Sequence, residues 1–527
     1  MSDQPNLSQL LAEASSPDLD PEDVVFKIGL VIDAAHDFGH EAAVLGALGL
    51  CEQLEKRQIS NVLKATVEYF KANAWAALQD IRQSEPADAW LWEHPELSKQ
   101  ILHLRRACAH QGFAALPSIR KCQILTNLAN QMNAAGRFVD AIQLWDQALA
   151  LNQNFAMALG NRGAGLKHYA QALYDPGHQI LFLRGALSGL HAALAKDAIW
   201  EGGEEAAKGP RQDFARLCDD LRSRLGGYED VELDPENVEH LGADLGERAY
   251  RRWCMQRRLF LNPLNDLWRR PIVAHDVLVL PDLTTPLIDG PEPPRIIAFY
   301  NQIKQEYASA RWLLFNGLTA DGPHGSDRGV VLFNTLDYPI YGLAIELVKI
   351  AFRAAYSLLD KIAIFINVYF GLAVPTARVS FRSIWLEKAG KDWAIRPEFV
   401  RLDNWPLRGL FWLAKDLYEP NFSDVTDPDA RGVRAIRNHL EHRFLRIHDG
   451  TLAFPLSAIE KETDDLPSMS VDRAVFEAKA IRLLQLTRSA VVYLSLAVRR
   501  EEERRSRERP VGLVSMPLSL WNDDWKR

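Results

Sequence analysis

Cysteine is scarce and scattered. The five residues, Cys51, Cys108, Cys122, Cys218 and Cys254, form no Cys-x-x-Cys pair and have no histidine beside them at ligand spacing. Zinc-ribbon and disulfide-scaffold classes are thereby excluded, and the thiols read as buried groups of a reducing compartment. Long apolar runs are lacking too. The longest, Ile362 to Val374, contains Asn367 and is too short to cross roughly 30 Å of hydrocarbon, so it is expected as a core helix and no membrane contact is expected. The N-terminus, MSDQPNLSQLLAEASSPDLDPED, has neither the basic start nor the apolar stretch of a secretory signal, which points to the cytoplasm. There is no Gly-rich loop ending in Gly-Lys-Ser/Thr, no Gly-x-Ser-x-Gly elbow, no His-Glu-x-x-His and no strand and helix alternation. Nucleotide-loop enzymes, serine hydrolases, zincins and dinucleotide folds lose their support, and no metal or other cofactor is expected. A formal charge of -8 argues against a surface that grips nucleic acid everywhere, while leaving room for a local basic site.

What is present is helical period. With 527 residues the chain is too long for one core, and a prior of roughly 150 residues per domain suggests about three units. Residues 127 to 151 place small or apolar side chains at Leu128, Ala129, Phe138, Ala141, Ile142, Leu144, Trp145, Ala148 and Leu149, with Gly136 at the turn, the pattern of two amphipathic helices. Asn127 and Ala129 recur as Asn161 and Gly163, a displacement of 34 residues. The stretch resembles tetratricopeptide units, although Gln153 stands where a proline is common. Lys27 to Leu54 repeats the logic more loosely, and a further helix pair is expected over 60 to 115. Stacked hairpins of this kind present a concave surface for a peptide or protein partner, or serve only as a structural shoulder for the C-terminal half.

Around 200 to 240 the composition shifts to Gly202-Gly203, Gly226-Gly227 and the acidic run Glu229 to Glu236, and Pro281 to Pro294 is rich in proline. The helical period then returns over roughly 294 to 317, 340 to 372, 403 to 418, 428 to 448 and 470 to 505, enough for a bundle. Arg378 to Trp385 and Thr451 to Phe454 are candidates for a hairpin. The expected fold is all-α: a flexible N-terminus over 1–22, tetratricopeptide-like repeats over 23–225, a linker and wrapping segment over 226–293, a separate helical bundle with irregular insertions over 294–509, and a tail over 510–527.

The helix from 428 carries the chemistry. Asp427 suits its cap, Pro428 its first position and Asp449-Gly450 its exit. Val433, Ile436, Leu440, Phe444 and Ile447 fall on one stripe facing the core, while Arg434, Asn438, Glu441 and His442 lie on the other face, with Arg437 at the edge. The stretch Arg437-Asn438-His439-Leu440-Glu441-His442 resembles the signature of the HEPN superfamily: an arginine, a polar residue, and a histidine after four to six intervening positions on one bundle helix. The resemblance implies a metal-independent ribonuclease whose site is Arg437, Asn438 and His442 and is commonly shared by two protomers, hence a homodimer through the HEPN-like domain. The chemistry agrees. Attack of a ribose 2′-OH on its phosphate needs a group of near-neutral pKa to move protons and a fixed cation for the developing charge. His442 suits the first role and Arg437 the second, with Asn438 orienting the imidazole or a phosphate oxygen; the products would carry a 2′,3′-cyclic phosphate.

The spacing alone is lax. Arg105 to His110, Arg184 to His191, Arg434 to His439 and Arg443 to His448 satisfy it as well, but only Arg437 is followed by Asn on a well-capped helix with a polar face. Tyr250 to Leu267, Phe299 to Leu313 and Ala351 to Ile364 are similar to a bacterial HEPN branch in which this domain follows tetratricopeptide-like helices. Asp360 is either an acidic group near the site or a surface partner of Lys361. Trp385, Trp393, Trp405 and Trp412 could stack on RNA bases, but serve more commonly to cover a core. Arg499 to Arg509 mixes both signs at i,i+4 spacing and extends the last helix into water. The reading is an RNA-cleaving toxin or defence effector governed through its repeats. The alternative is a non-catalytic adaptor whose repeats bind a partner protein.

Overall fold

In the computed structural model, residues 7–16, 18–83, 91–228, 236, 238–284, 294–418, 427–449, 468–508 and 517–526 are described. The chain is all-α, as expected, and among those residues the only sheets are two-stranded. The first ten helices are α1 (Leu7–Ala14), α2 (Pro21–Asp37), α3 (Glu41–Glu55), α4 (Asn61–Arg82), α5 (Pro95–Ala109), α6 (Ser118–Ala134), α7 (Phe138–Leu151), α8 (Ala156–Ala172), α9 (Pro176–Leu194) and α10 (Gly203–Leu225). Asp20, Ser60 and Asp175 cap three of these helices, each accepting a backbone N–H from the first turn of the helix it precedes. Neighbouring helices pack as hairpins, most closely α4 with α5, α6 with α7, and α8 with α9.

The chain continues through α11 (Leu245–Gln256), α12 (Leu264–Leu267), α13 (Arg295–Thr319) and α14 (Leu343–Tyr369), then strands β1 (Leu386–Ala389) and β2 (Asp392–Ile395), α15 (Pro397–Val400), α16 (Trp405–Tyr418), α17 (Asp427–His442), strands β3 (Phe444–His448) and β4 (Ser468–Asp472), and α18 (Arg473–Arg507). The apolar run from Ile362 lies at the end of α14, and Asn367 turns the chain back, exchanging two hydrogen bonds with the backbone of Val374 at 2.8 and 3.1 Å. By length and composition α18 could cross a membrane, but 83% of its apolar window is buried inside the protein. All five cysteines are free thiols, and burial pushes Cys51, Cys108 and Cys254 up to about 12.

Three expectations need correction. The helix expected to run to 448 ends at His442; Phe444 to His448 form β3, parallel to β4, and Ile340 donates to the Ile447 carbonyl at 2.7 Å. Residues 444 and 447 fit a helical stripe by spacing, but the run FLRIH also suits a strand, and the pairing partner is distant in sequence. The hairpin falls just after Arg378–Trp385, where β1 and β2 are antiparallel around Gly390-Lys391, with Gly390 at φ +66°. Trp385 is itself buried, its indole N–H donating to the Phe381 carbonyl. Thr451 to Phe454, Gly450 and the acidic run Glu229 to Asp234 lie outside the described residues. Nor does the bundle have a core of its own. One hydrophobic core runs from Ala65 to Val498 through the N-terminal hairpins and the bundle alike, while a second joins α1 to α4.

The shared core arises because hairpins of this kind cannot cover their own faces. Phe138 of α7 packs on Tyr169 of α8, Trp405 of α16 and Tyr493 of α18. Residues 238–284, expected as linker, contribute Leu259 to Leu267 to this interior. There Asp266, fully buried, receives Arg488 of α18 at 2.5 Å and the Tyr169 hydroxyl at 3.0 Å. Buried Arg137 joins Asp140 of α7, at 2.8 Å, to Asp416 of α16. Arg105 of α5 grips the same Asp416 with two bonds of 2.8 and 2.9 Å.

At the α6–α7 turn the backbone packs directly on α16. Gly136 stands at φ +85°, and a Cβ there would meet the Trp405 carbonyl oxygen at 2.4 Å and the Gly409 nitrogen at 2.7 Å. Backbone meets backbone, so no side chain can move aside. Gly136→Ala is expected to lower stability by about 2–4 kcal/mol, combining left-handed strain with overpacking. A urea midpoint within error of wild type would refute this close approach.

Candidate functional site

Helix α17 buries Val433, Ile436 and Leu440 against α14, α16 and α18, so the apolar stripe read from the sequence is the docking face up to residue 440. Its C-terminal end is held by Arg353 of α14, which donates to the Leu440 carbonyl at 2.6 Å and lies 3.5 Å from Glu441. Cations favour this end of a helix because unpaired carbonyls make it electronegative.

Arg437 is half-buried beside this face. Its guanidinium lies 5.4 Å from the centre of the Tyr356 ring and donates to the Asn438 side-chain oxygen at 3.3 Å. Among the described residues no carboxylate pairs with it. The Tyr356 hydroxyl is 2.8 Å from that of Tyr418, the last residue of α16. Burial pushes the Tyr418 hydroxyl well above the usual phenol range; Tyr356 and Asp360 add to this, and Arg437 opposes it. Asp360, like Arg437, thus lies within electrostatic reach of Tyr418. Its carboxylate accepts the Phe381 backbone N–H at 2.8 Å, and Lys361 pairs with Glu306 instead.

The structure thus brings Arg437 and Asn438 together. His442 closes α17 one turn beyond Asn438, while its side chain, like those of Arg434 and Asp427, lies outside the described residues. Sequence reasoning missed Tyr356 and Tyr418, since nothing local marks two tyrosines on separate helices as partners. It also passed over His439, which is buried. The His439 Nδ1 is 2.8 Å from the Ala435 carbonyl, which can only accept, so Nδ1 carries the proton and Nε2 is left buried without a partner among the described residues.

The competing pairs resolve into other roles. Arg105 is committed to Asp416, and the His110 Nδ1 accepts the Gly112 N–H. His191 receives Arg222 at 2.7 Å. His448 lies on β3, so Arg443 and His448 do not share a helix. Of the tryptophans, Trp385 and Trp412 are buried and Trp405 is half-buried, whereas Trp393 on β2 is exposed.

Residues 288–501 match the family model described as LA2681-like HEPN. The matched stretch contains α13, α14, α16 and α17 and most of α18, and it supports a HEPN domain there, with the Arg437 helix inside it. The N-terminal helical hairpins lie outside the match. Nothing among curated proteins matches this chain, and no solved structure does.

Proposed function

We propose that this chain is a metal-independent endoribonuclease of the HEPN type, acting in the cytoplasm as a toxin or defence effector, with its tetratricopeptide-like repeats binding a partner that governs it. The observation that carries this reading is Arg437: a half-buried cation, fixed against an aromatic face and an amide, with no carboxylate to neutralise it among the described residues. Such a group suits the charge that builds on phosphate oxygens during transfer. The 2′-oxygen bonds to phosphorus as the bond to the 5′-oxygen breaks, giving a 2′,3′-cyclic phosphate. His442 moves the protons, from the attacking hydroxyl and to the leaving oxygen, and Asn438 orients it or a phosphate oxygen. Two protomers meeting at their motif helices would supply two such histidines, one as base and one as acid. The matched HEPN family favours a nuclease or defence role.

Overproduction in cells tests the reading. Wild type should arrest growth, and His442→Ala should relieve the arrest at equal protein level. Harmless overproduction of wild type with its activating signal present would favour the adaptor instead.

A further inference from the structure

Uncompensated positive charge gathers at a second place, remote in sequence from the motif helix. Asp146 on α7 accepts Arg162 of α8 at 2.7 Å on one oxygen and Arg258 on the other. Arg269 lies in the same field. Its guanidinium is held below the usual arginine range, first by burial and then by the charge of Arg258, with Asp146 opposing. Two arginines thus share one carboxylate and a third adds its charge nearby, in a chain whose net charge is -8.

Their donors are largely unused. Arg258 is 6% exposed, yet its Nε and Nη1 are buried with no acceptor among the described residues. Arg162 bonds Asp146 through Nε, and its two terminal nitrogens have no acceptor among the described residues. Arg269 is exposed, which opens the group to solvent. Arg258 also stands at φ +55°, a left-handed backbone that costs a non-glycine residue roughly 1–2 kcal/mol. That backbone lies just past the end of α11, where Leu259 donates to the Cys254 carbonyl at 2.9 Å. Buried charge is ordinarily paired in full. Here two guanidinium groups in contact, one of them buried, have a single carboxylate between them.

We propose that Arg162, Arg258 and Arg269 form a binding site for a phosphate group. A carboxylate ligand carries one charge and two oxygens, whereas a phosphate offers more oxygens in a tetrahedral array and, as a monoester, up to two charges, which better matches several guanidinium forks. The source is either a phosphodiester of RNA or the monoester of a free nucleotide. In both cases the ligand would bridge the repeat helices to the segment that carries Arg258 and Arg269.

The test is calorimetric titration of the full chain with three probes: inorganic phosphate, AMP, and a single-stranded 2′-deoxy oligonucleotide, which chemistry at a 2′-OH cannot cleave. Wild type is expected to bind at least one. Arg269→Ala, at an exposed position, and Arg162→Gln should each weaken it by about tenfold or more. Oligonucleotide binding that falls with salt identifies the phosphodiester; binding of phosphate or AMP alone identifies the free monoester. Absence of binding to all three probes would overturn the proposal. So would affinity equal to wild type in both Arg269→Ala and Arg162→Gln.

Discussion

Arg437→Ala is expected to lower the rate of RNA cleavage by about 10²–10³, the usual cost of removing one fixed donor from a developing oxyanion. Folding should survive, because the side chain lies at the edge of the stripe and α17 keeps Val433, Ile436 and Leu440 in the core. Arg437→Lys separates charge from shape. Lysine retains the charge but not the planar fork that lies over Tyr356 and reaches Asn438, so it should recover only part of the lost rate. Single-turnover cleavage with equal protein and saturating RNA reads the effect on the chemical step. Unchanged rates in Arg437→Ala would remove this residue from the site.

The second large effect is on stability. Arg137→Ala leaves Asp140 and Asp416 buried with less compensation, and breaking a buried ion pair from one side costs about 3–5 kcal/mol. The effect is shared by the N-terminal hairpins and the bundle, because the two carboxylates belong to α7 and α16. Asp140 keeps Arg482 at 3.3 Å and the Tyr493 hydroxyl at 3.2 Å, and Asp416 keeps Arg105, so the loss should not exceed that range. Burial alone would raise the Asp140 carboxyl, but the charges of Arg137 and Arg482 and the hydrogen bonds from Arg137 and Tyr493 together outweigh it and hold the group at about 2. A depressed carboxylate contributes stability that is present above its unfolded value, near 3.9, and is lost as pH falls toward the folded value. Acid unfolding of wild type should therefore extend down toward pH 2, and Arg137→Ala should unfold at higher pH. Urea midpoints measured from pH 7 to pH 2 check both points; parallel curves for the two proteins would refute the pairing.

Local signals carried most of the fold. Gly136 makes the turn its position requires, and the stripe through Val433, Ile436 and Leu440 faces inward. What sequence could not supply is long-range. Arg137 and Asp416 are 279 residues apart, and no periodicity links them. The merged core had no local mark either, because glycines and acidic runs signal a break in helix and say nothing of what packs across it. β3 was misread because apolar residues three apart satisfy a helix as readily as a strand. At the site, Arg437 and Asn438 were legible from their spacing on one helix. Their surroundings, the Tyr356–Tyr418 pair and Asp360, come from α14 and α16 and could be found only in three dimensions.

The most direct measurement is the chemistry of the cut ends. A mixed RNA pool is incubated in EDTA with wild type, Arg437→Ala and His442→Ala, and the 3′ termini are analysed by mass spectrometry. Fragments with 2′,3′-cyclic phosphate from wild type alone are the expected result. Cleavage that persists in both variants, or fragments that end in a free 3′-hydroxyl, would contradict a ribonuclease site built on Arg437 and His442.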